Sequence, residues 1–252
     1  MTAHSKYNLK VFQTEDALGK AAAEFIIAVA NKAIAEKGRF IISLSGGQTP
    51  VKLYALLANP PFREQINWNQ TFIFWGDERC VPLNDERNNA HVAKETLINK
   101  INIPPSNIHP IPVNLPPAEA AAKYEKELKD FFGNEPPQFD LMLLGLGENG
   151  HTASLFPGTD VIDEQSEGVK EVYVQEEKMF RITLTAPLIN QSHNILFLVS
   201  GQNKAEVLKK VLTAAYHPHH YPAQLIQPKN GKISWYADSA AASLMEMPSG
   251  KI

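Results

Sequence analysis

Residues 39–57 read RFIISL, then SGGQTP, then VKLYALL, and this stretch decides the fold. The short apolar run with β-branched residues predicts a buried strand over residues 39–44. The apolar spacing beyond the glycine pair predicts a helix over residues 50–57. A buried strand, a tight glycine turn and a helix in this order form the repeating unit of a parallel α/β fold.

The same alternation runs through the rest of the chain. Further strands are predicted over residues 71–75, 139–144, 171–174, 181–185, 194–199 and 232–236. Further helices are predicted over residues 16–37, 89–100, 118–132, 204–212 and 238–245. This pattern is typical of a mostly parallel sheet with helices on both faces, a Rossmann-like three-layer α/β fold. Strand patterns resume directly after the proline-rich stretches 103–117 and 135–137, so we expect residues 1–252 to form a single domain.

Composition argues against several classes of protein. The chain has 252 residues, of which 44% are hydrophobic and 20% charged, and its formal net charge is −3. A weakly acidic chain has no overall field that would hold nucleic acid or an anionic membrane, so we expect neither as a partner. Cys80 is the only cysteine, and residues 1–16 lack the apolar core of a signal peptide. We therefore expect a cytoplasmic protein, and the sequence leaves its state open between a monomer and a small homo-oligomer.

The chemically suggestive residues follow the predicted strands. The segments SGGQTP, GDER, GLGENGH and SGQNK come directly after strands that end at Leu44, Trp75, Leu144 and Val199. Ligands of open α/β sheets bind at the carboxyl ends of the strands. We therefore expect these four segments to surround one site.

The first segment is typical of an anion site. Its two glycines let the backbone approach a ligand, and the helix that follows offers exposed amides and a favourable dipole. Thr49 is predicted to cap this helix, with Pro50 at its first position. The segment lacks both the Walker lysine and the GxGxxG spacing, so it predicts a single phosphate, not a nucleotide, on Ser45, Gly46, Gly47, Gln48 and Thr49. A plain strand-to-helix turn is the alternative.

The third segment places a histidine after three glycines. Such a loop can present the imidazole of His151 into a cleft while its amides face a developing oxyanion, and Gly147, Asn149 and Gly150 are the candidates. Histidine titrates near neutral pH, so His151 is predicted to be a general base towards water. Ser154 is not in a GxSxG elbow, which argues against a serine hydrolase. A purely structural histidine is the alternative.

Charged residues complete the predicted site. Asp77 and Glu78 are candidates to accept hydrogen bonds from sugar hydroxyls or to orient a base, and Arg79 to bind an anionic or carbonyl oxygen. Arg181 and Lys204 are candidates to converge on the phosphate. Each of them also fits an ordinary ion pair or surface charge. The histidines of residues 217–220 match no familiar metal spacing, so we expect no metal site.

These motifs resemble the 6-phosphogluconolactonase family when they are taken together. The match comprises SLSGGQTP, WGDERCVP, DLMLLGLGENGHTASLFPG, RITLTAP, SGQNKAEVL and the tail PAQLI…GKISWYAD. The resemblance implies hydrolysis of 6-phospho-D-glucono-1,5-lactone to 6-phospho-D-gluconate, the second step of the oxidative pentose phosphate pathway. It also implies a phosphosugar-isomerase-like fold shared with glucosamine-6-phosphate deaminases, and no metal or organic cofactor. The family's catalytic histidine falls on His151, its DER segment on Asp77, Glu78 and Arg79, and the phosphate-binding elements on the Gly46-Gly47 loop, Arg181 and Lys204.

Three positions need comment against that pattern. Many relatives have an aspartate where this chain has Asn149, so we expect the partner that orients His151 to lie elsewhere, with Asp77 as the first candidate. The run NDERNNA stands where relatives often carry a Ser-Asn pair, which leaves Asn88 and Asn89 both open as substrate contacts. Phe156 stands where a deaminase-like pattern has a glutamate, and it cannot move protons. This favours the lactonase over the deaminase, while a sugar-phosphate sensor without turnover is the alternative from another class.

Overall fold

The structure is a computed structural model that describes residues 8–133, 135–166 and 168–246. Residues 1–7, 134, 167 and 247–252 lie outside the described residues. The predicted single domain, residues 1–252, is therefore described only between residues 8 and 246. Of the N-terminal segment 1–16, the structure describes residues 8–16.

The strands form two sheets within these residues. Their bounds are β1 Leu9–Phe12, β2 Phe40–Leu44, β3 Thr71–Trp75, β4 Asp77–Arg79, β5 Ile108–His109, β6 Leu141–Gly145, β7 Val169–Val174, β8 Met179–Leu184, β9 Asn194–Val199 and β10 Lys232–Asp238. Seven strands pair in parallel in the order β1-β10-β9-β6-β2-β3-β5. The other three form an antiparallel sheet in the order β4-β8-β7. The prediction of a mostly parallel sheet is confirmed.

Helices cover the large sheet. Their bounds are α1 Glu15–Lys37, α2 Gln48–Leu57, α3 Asn89–Thr96, α4 Pro117–Phe132, α5 Ala186–Ile189 and α6 Ala205–Thr213. Every residue of β2 is buried, so both faces of this central strand are covered, as expected for a parallel sheet. The apolar side chains of the sheet and of the long helices belong to one continuous core. No helix in the described ranges is long and apolar enough to cross a membrane.

Helix α1 has a defined cap at each end. Thr14 Oγ1 accepts a hydrogen bond from the amide of Ala17 at 3.1 Å, and two acidic residues occupy the first turn. Gly38 ends the helix with a φ of 72°, the left-handed region that favours glycine. Buried alanines on the inner face let the helix lie close to the sheet.

Two helix predictions need correction. Residues 238–245 form turns instead of the predicted helix, because Asp238 Oδ1 accepts hydrogen bonds from the amides of Ala241 and Gly201 and ties the segment to the loop after β9. The amide of Ala242 bonds four residues back to Asp238, but those of Ser243 and Met245 bond three residues back, so no continuous α-helical ladder develops. The helix predicted over residues 89–100 is α-helical only to Thr96, and a separate 3-10 turn follows over Ile98–Lys100.

The order of the strands opens a crevice between β2 and β6. The chain runs from β2 to β3 on one side, whereas β6, β9 and β10 lie on the other side. The loops that leave β2 and β6 therefore diverge at the carboxyl edge, which is where α/β sheets bind ligands. Gly76 joins the small sheet to this edge, because its amide donates to the carbonyl of Leu44 and its carbonyl accepts from the amide of Leu184.

Candidate active site

A cleft of about 670 Å³ opens at this crevice. The loops after β2, β6 and β9 form its floor and sides, together with the small antiparallel sheet. The predicted site residues that line it are Ser45, Gly46, Gly47, Gln48, Thr49, Asp77, Arg79, Gly147, Asn149, His151, Arg181 and Lys204. Gly150 does not line it: this glycine has a φ of 85°, and a Cβ there would meet the backbone of Tyr221 at 3.0 Å. Its role is therefore to shape the loop.

The imidazole of His151 is oriented by Asn149. Asn149 Oδ1 lies 2.6 Å from His151 Nδ1 and 3.2 Å from the backbone nitrogen of His151. A backbone N–H can only donate, so the atom that faces it must be the amide oxygen, which can only accept. Nδ1 therefore carries the proton, and Nε2 keeps its lone pair. No hydrogen-bond partner for Nε2 occurs among the residues that the structure describes, which leaves this nitrogen available to a substrate or a water molecule.

The surroundings of the ring keep it neutral. It stacks on Phe156 with ring centroids 4.0 Å apart and an interplanar angle of 21°. Burial, and then the positive charges of Arg181, Lys204 and Arg79, lower the pKa of His151 to about 3. The imidazole is therefore uncharged at neutral pH.

Gly147 makes room for the imidazole. A Cβ at this position would lie 2.1 Å from two atoms of the His151 ring. The ring therefore lies directly over the backbone of Gly147, and a glycine is required there by this close approach.

Two of the amides expected to face an oxyanion are already used inside the loop. The amide of Gly147 donates to the carbonyl of His151 at 2.8 Å, and the amide of Gly150 donates to the carbonyl of Gly147 at 3.0 Å. These bonds hold the histidine loop in shape. Neither N–H can serve an oxyanion without breaking one of them, so the expectation is corrected for both glycines.

Asp77 contacts Ser154 and Arg181, and the structure differs here from the expectation that Asp77 orients His151. Ser154 Oγ donates to Asp77 Oδ2 at 2.6 Å, and Arg181 Nη1 lies 3.6 Å from the same oxygen. The side chains of Asp77 and Arg181 are almost fully buried. Asp77 thus fixes one end of the Arg181 guanidinium.

Glu78 is structural and holds the start of α3. Its carboxylate is fully buried and accepts hydrogen bonds from the amides of Arg79, Asn89 and Ala90 at 2.7–2.8 Å. Burial raises its pKa to about 7, although the three amides oppose this shift. Glu78 therefore ties the strand that carries Arg79 to the helix that carries Asn89, away from solvent.

Asn89, not Asn88, lines the cleft. Arg79 Nη1 donates to Asn89 Oδ1 at 3.0 Å, and a Cβ on Gly46 would collide with the Asn89 amide. Asn88 is buried and caps α3 by accepting from the amide of His91 at 2.7 Å. Of the two asparagines, Asn89 is therefore the one placed to contact a substrate. Its side chain also fixes the direction of Arg79.

The loop after β2 presents an open helix N-terminus. Helix α2 begins at Gln48, and Gly47, with a φ of 103°, precedes it without a side-chain cap. The prediction that Thr49 caps this helix is wrong, because Thr49 Oγ1 pairs with Ser200 Oγ at 2.7 Å. The uncapped amides of the first turn carry the positive end of the helix dipole and remain available to an anion.

Sequence reasoning missed Glu177 and Ser154. Glu177 lies on the turn between β7 and β8 and holds the Arg181 guanidinium with both carboxylate oxygens, at 2.6 and 3.1 Å. Its spacing of four residues from Arg181 was the only available signal. Ser154 was considered solely as a nucleophile, whereas it is fully buried and bridges Asp77 to the histidine loop. Residues 8–133, 135–166 and 168–246 contain no group of three or more His, Cys, Asp or Glu side chains placed to hold a metal ion.

Fold and site together define a class of protein: a parallel α/β protein whose cleft, at the point where the strand order reverses, contains a neutral histidine and three cationic side chains. Residues 13–235 match the family described as glucosamine-6-phosphate isomerases/6-phosphogluconolactonase, and the chain belongs to that family.

Relatives named 6-phosphogluconolactonase align over most of the chain. The protein of Synechocystis is 41% identical over 83% of this chain and 86% of its own length. That of Nostoc is 35% identical over 94% of this chain and 98% of its own length. The structure of 6-phosphogluconolactonase from Trypanosoma cruzi superposes with a TM-score of 0.85 at 25% identity, covering 96% of this chain and 98% of the other.

Proposed function

We propose that the protein hydrolyses 6-phospho-D-glucono-1,5-lactone to 6-phospho-D-gluconate, as the second step of the oxidative pentose phosphate pathway. The observation that carries the proposal is the neutral His151, whose Nδ1 is bound to Asn149 and whose ring lines a cleft shared with Arg79, Arg181 and Lys204. The names of the relatives support the same reaction. Phe156 supports it against a deaminase, because a phenyl ring packed on the base supplies no second proton-transfer group.

The cleft offers separate regions for the two ends of this substrate. The phosphate would dock at the open N-terminus of α2, between the Ser45–Thr49 loop and the cations Arg181 and Lys204. A phosphate dianion there would neutralise Lys204, which has no carboxylate partner within 4.0 Å among the described residues, and would share Arg181 with its carboxylates. The lactone ring would then extend towards His151.

The reaction needs one base and a place for negative charge. His151 Nε2 takes a proton from water while the water oxygen bonds to the lactone carbonyl carbon, and the π electrons move to the carbonyl oxygen. Arg79 would stabilise this oxyanion by charge and hydrogen bonding. When the carbonyl re-forms, the bond to the ring oxygen breaks, and the imidazolium donates its proton to that oxygen. The carboxylic acid product loses its proton to solvent at neutral pH.

Substrate binding would also strengthen the base. Two of the cations that lower the pKa of His151, Arg181 and Lys204, are those that the phosphate would contact. A dianion placed among them offsets their field, so the pKa rises towards its ordinary value when substrate is bound. Burial is the larger cause of the low pKa and is not removed by the phosphate, so substrate binding would strengthen the base only in part.

We further propose that one cytoplasmic α/β domain performs this reaction without a metal or organic cofactor, as a monomer or a small homo-oligomer. The net charge of −3 argues for a small-molecule substrate and against nucleic acid.

A lactone hydrolysis assay tests the proposal. Acid release from the lactone above the uncatalysed rate is followed at constant pH. Ammonium release is followed for glucosamine 6-phosphate, the competing substrate, because its deamination releases no net acid. We expect turnover of the lactone alone, and His151→Ala should reduce kcat by about a hundredfold or more. His219→Ala is the matched control, because this histidine is exposed and lies outside the cleft. Full activity of His151→Ala would contradict the base assignment, and the absence of acid release by the wild type would contradict the reaction.

A further inference from the structure

Two arginines face each other across the small antiparallel sheet. The β4–β8 register pairs Arg79 directly with Arg181, and both side chains line the cleft. Directly opposite residues of an antiparallel pair project from the same face, and like charges placed so destabilise the sheet. This pair therefore requires an anion close by.

The described residues neutralise the two arginines unequally. Arg181 has two carboxylate partners, Asp77 and Glu177. Arg79 donates instead to neutral oxygens, the carbonyl of Arg87 and the amide of Asn89. Neither Arg79 nor Lys204 has a carboxylate within 4.0 Å among the described residues, so no direct ion pair neutralises these two cations of the cleft.

The two carboxylates on Arg181 differ in how firmly they are held. The Asp77 side chain is 8% exposed and accepts a second hydrogen bond from buried Ser154. The Glu177 side chain is 34% exposed and stands on the turn of the β7–β8 hairpin. Its only described side-chain contacts are those with Arg181, so Glu177 can leave without breaking a buried network, whereas Asp77 cannot.

We propose that Glu177 is a specificity-determining residue that occupies the anion site of Arg181 until a phosphate displaces it, an inference that rests on the proposed function. Its two oxygens meet Nε and Nη2 in the fork arrangement that phosphate oxygens also adopt. A carboxylate on this turn neutralises Arg181 alone, while a phosphate dianion in the cleft would contact Arg181, Lys204 and the uncapped amides of α2 together. Phosphate therefore displaces Glu177, and an uncharged sugar lactone does not.

Affinity for inorganic phosphate tests this inference without turnover. Titration calorimetry at constant ionic strength compares the wild type, Glu177→Gln and Glu177→Ala. Glu176→Gln is the matched control, because Glu176 lines the same cleft and carries the same charge but has no described contact with Arg181. We expect both Glu177 variants to bind phosphate about five- to tenfold more tightly than the wild type, and the control to change by less than about threefold.

Each possible result of this titration either supports or overturns the displacement of Glu177 by phosphate. Tighter binding in both Glu177 variants than in Glu176→Gln supports displacement. Equal changes in phosphate affinity at Glu176 and Glu177 would mean that Glu177 acts only through its negative charge, and this would overturn the inference. Weaker phosphate binding by the Glu177 variants would also overturn it, because Glu177 would then hold Arg181 in position for phosphate. Loss of folded protein in Glu177→Gln, monitored by thermal unfolding, would also contradict a displaceable contact. A wild type that binds phosphate but hydrolyses no lactone would overturn the proposed function alone.

Discussion

Replacing Asn149 by aspartate changes the charge beside the proposed base and keeps the contacting atom. Asn149 Oδ1 accepts from both Nδ1 and the backbone nitrogen of His151. An aspartate oxygen in the same place can accept both bonds, so the tautomer with a free Nε2 is retained. The substitution adds one negative charge next to the ring, and this charge favours the imidazolium.

The size of the effect follows from the distance. An opposite charge within hydrogen-bond range moves a pKa by about 1 to 3. The pKa of His151 is held at about 3, so Asn149→Asp should raise it to between about 4 and 6. Both proteins keep the ring neutral at pH 8. Activity is lost as pH falls through the raised pKa, so the acid limb of kcat/KM moves to higher pH in the variant.

Two measurements check this expectation. Lactone hydrolysis between pH 4 and 8 gives the acid limb of kcat/KM, and NMR titration of labelled histidine rings gives the pKa in the free protein. Asn149→Ala is the control: it removes the bond to Nδ1 without adding charge, which should lower kcat/KM about two- to twelvefold and leave the acid limb unraised. Coincident limbs for wild type and Asn149→Asp, or a wild-type His151 that titrates near 6.5, would refute the reasoning.

Two further substitutions test the supports of the site. Gly147→Ala places a methyl group 2.1 Å from the His151 ring, so kcat should fall at least about tenfold while phosphate affinity is unchanged. An unchanged kcat would contradict a catalytic role for the ring in this position. Glu78→Gln turns an NH₂ group towards a buried amide N–H, such as that of Ala90, and should lower the free energy of unfolding by about 1–3 kcal/mol in urea titrations. Exposed Glu86→Gln is its control, and equal stability of the two variants would contradict the buried role of Glu78.

The central strands could be predicted closely because their signal is local. Strands β3 and β9 have the bounds predicted from their apolar runs, since a strand buried on both faces must be apolar along its whole length. Strand β4 could not be predicted in this way. Its residues Asp77–Arg79 are polar, and they are extended because they pair with β8, while the amides of Asn89 and Ala90 bind the Glu78 carboxylate.

The candidate site also has features that the sequence predicts and features that it does not. The rule that ligands bind at strand ends brought together the residues of four separate loops, and nearly all of them line one cleft. The pairing of side chains inside the cleft depends on distances that no spacing encodes, so Asp77 was assigned to His151 and Glu177 was missed. The contact between Asn149 and His151 could have been predicted, because an asparagine side-chain oxygen often accepts a hydrogen bond from the backbone amide two residues later.

The position of β1 at one edge of the large sheet has a consequence for how the chain folds. Among the described strands, its one neighbour in the sheet is β10, which pairs Leu9 with Trp235 and Phe12 with Asp238. During synthesis residues 13–231 must be translated between β1 and β10. The amides and carbonyls of β1 stay unpaired with β10 throughout that interval, and an exposed strand edge can then pair with a wrong partner.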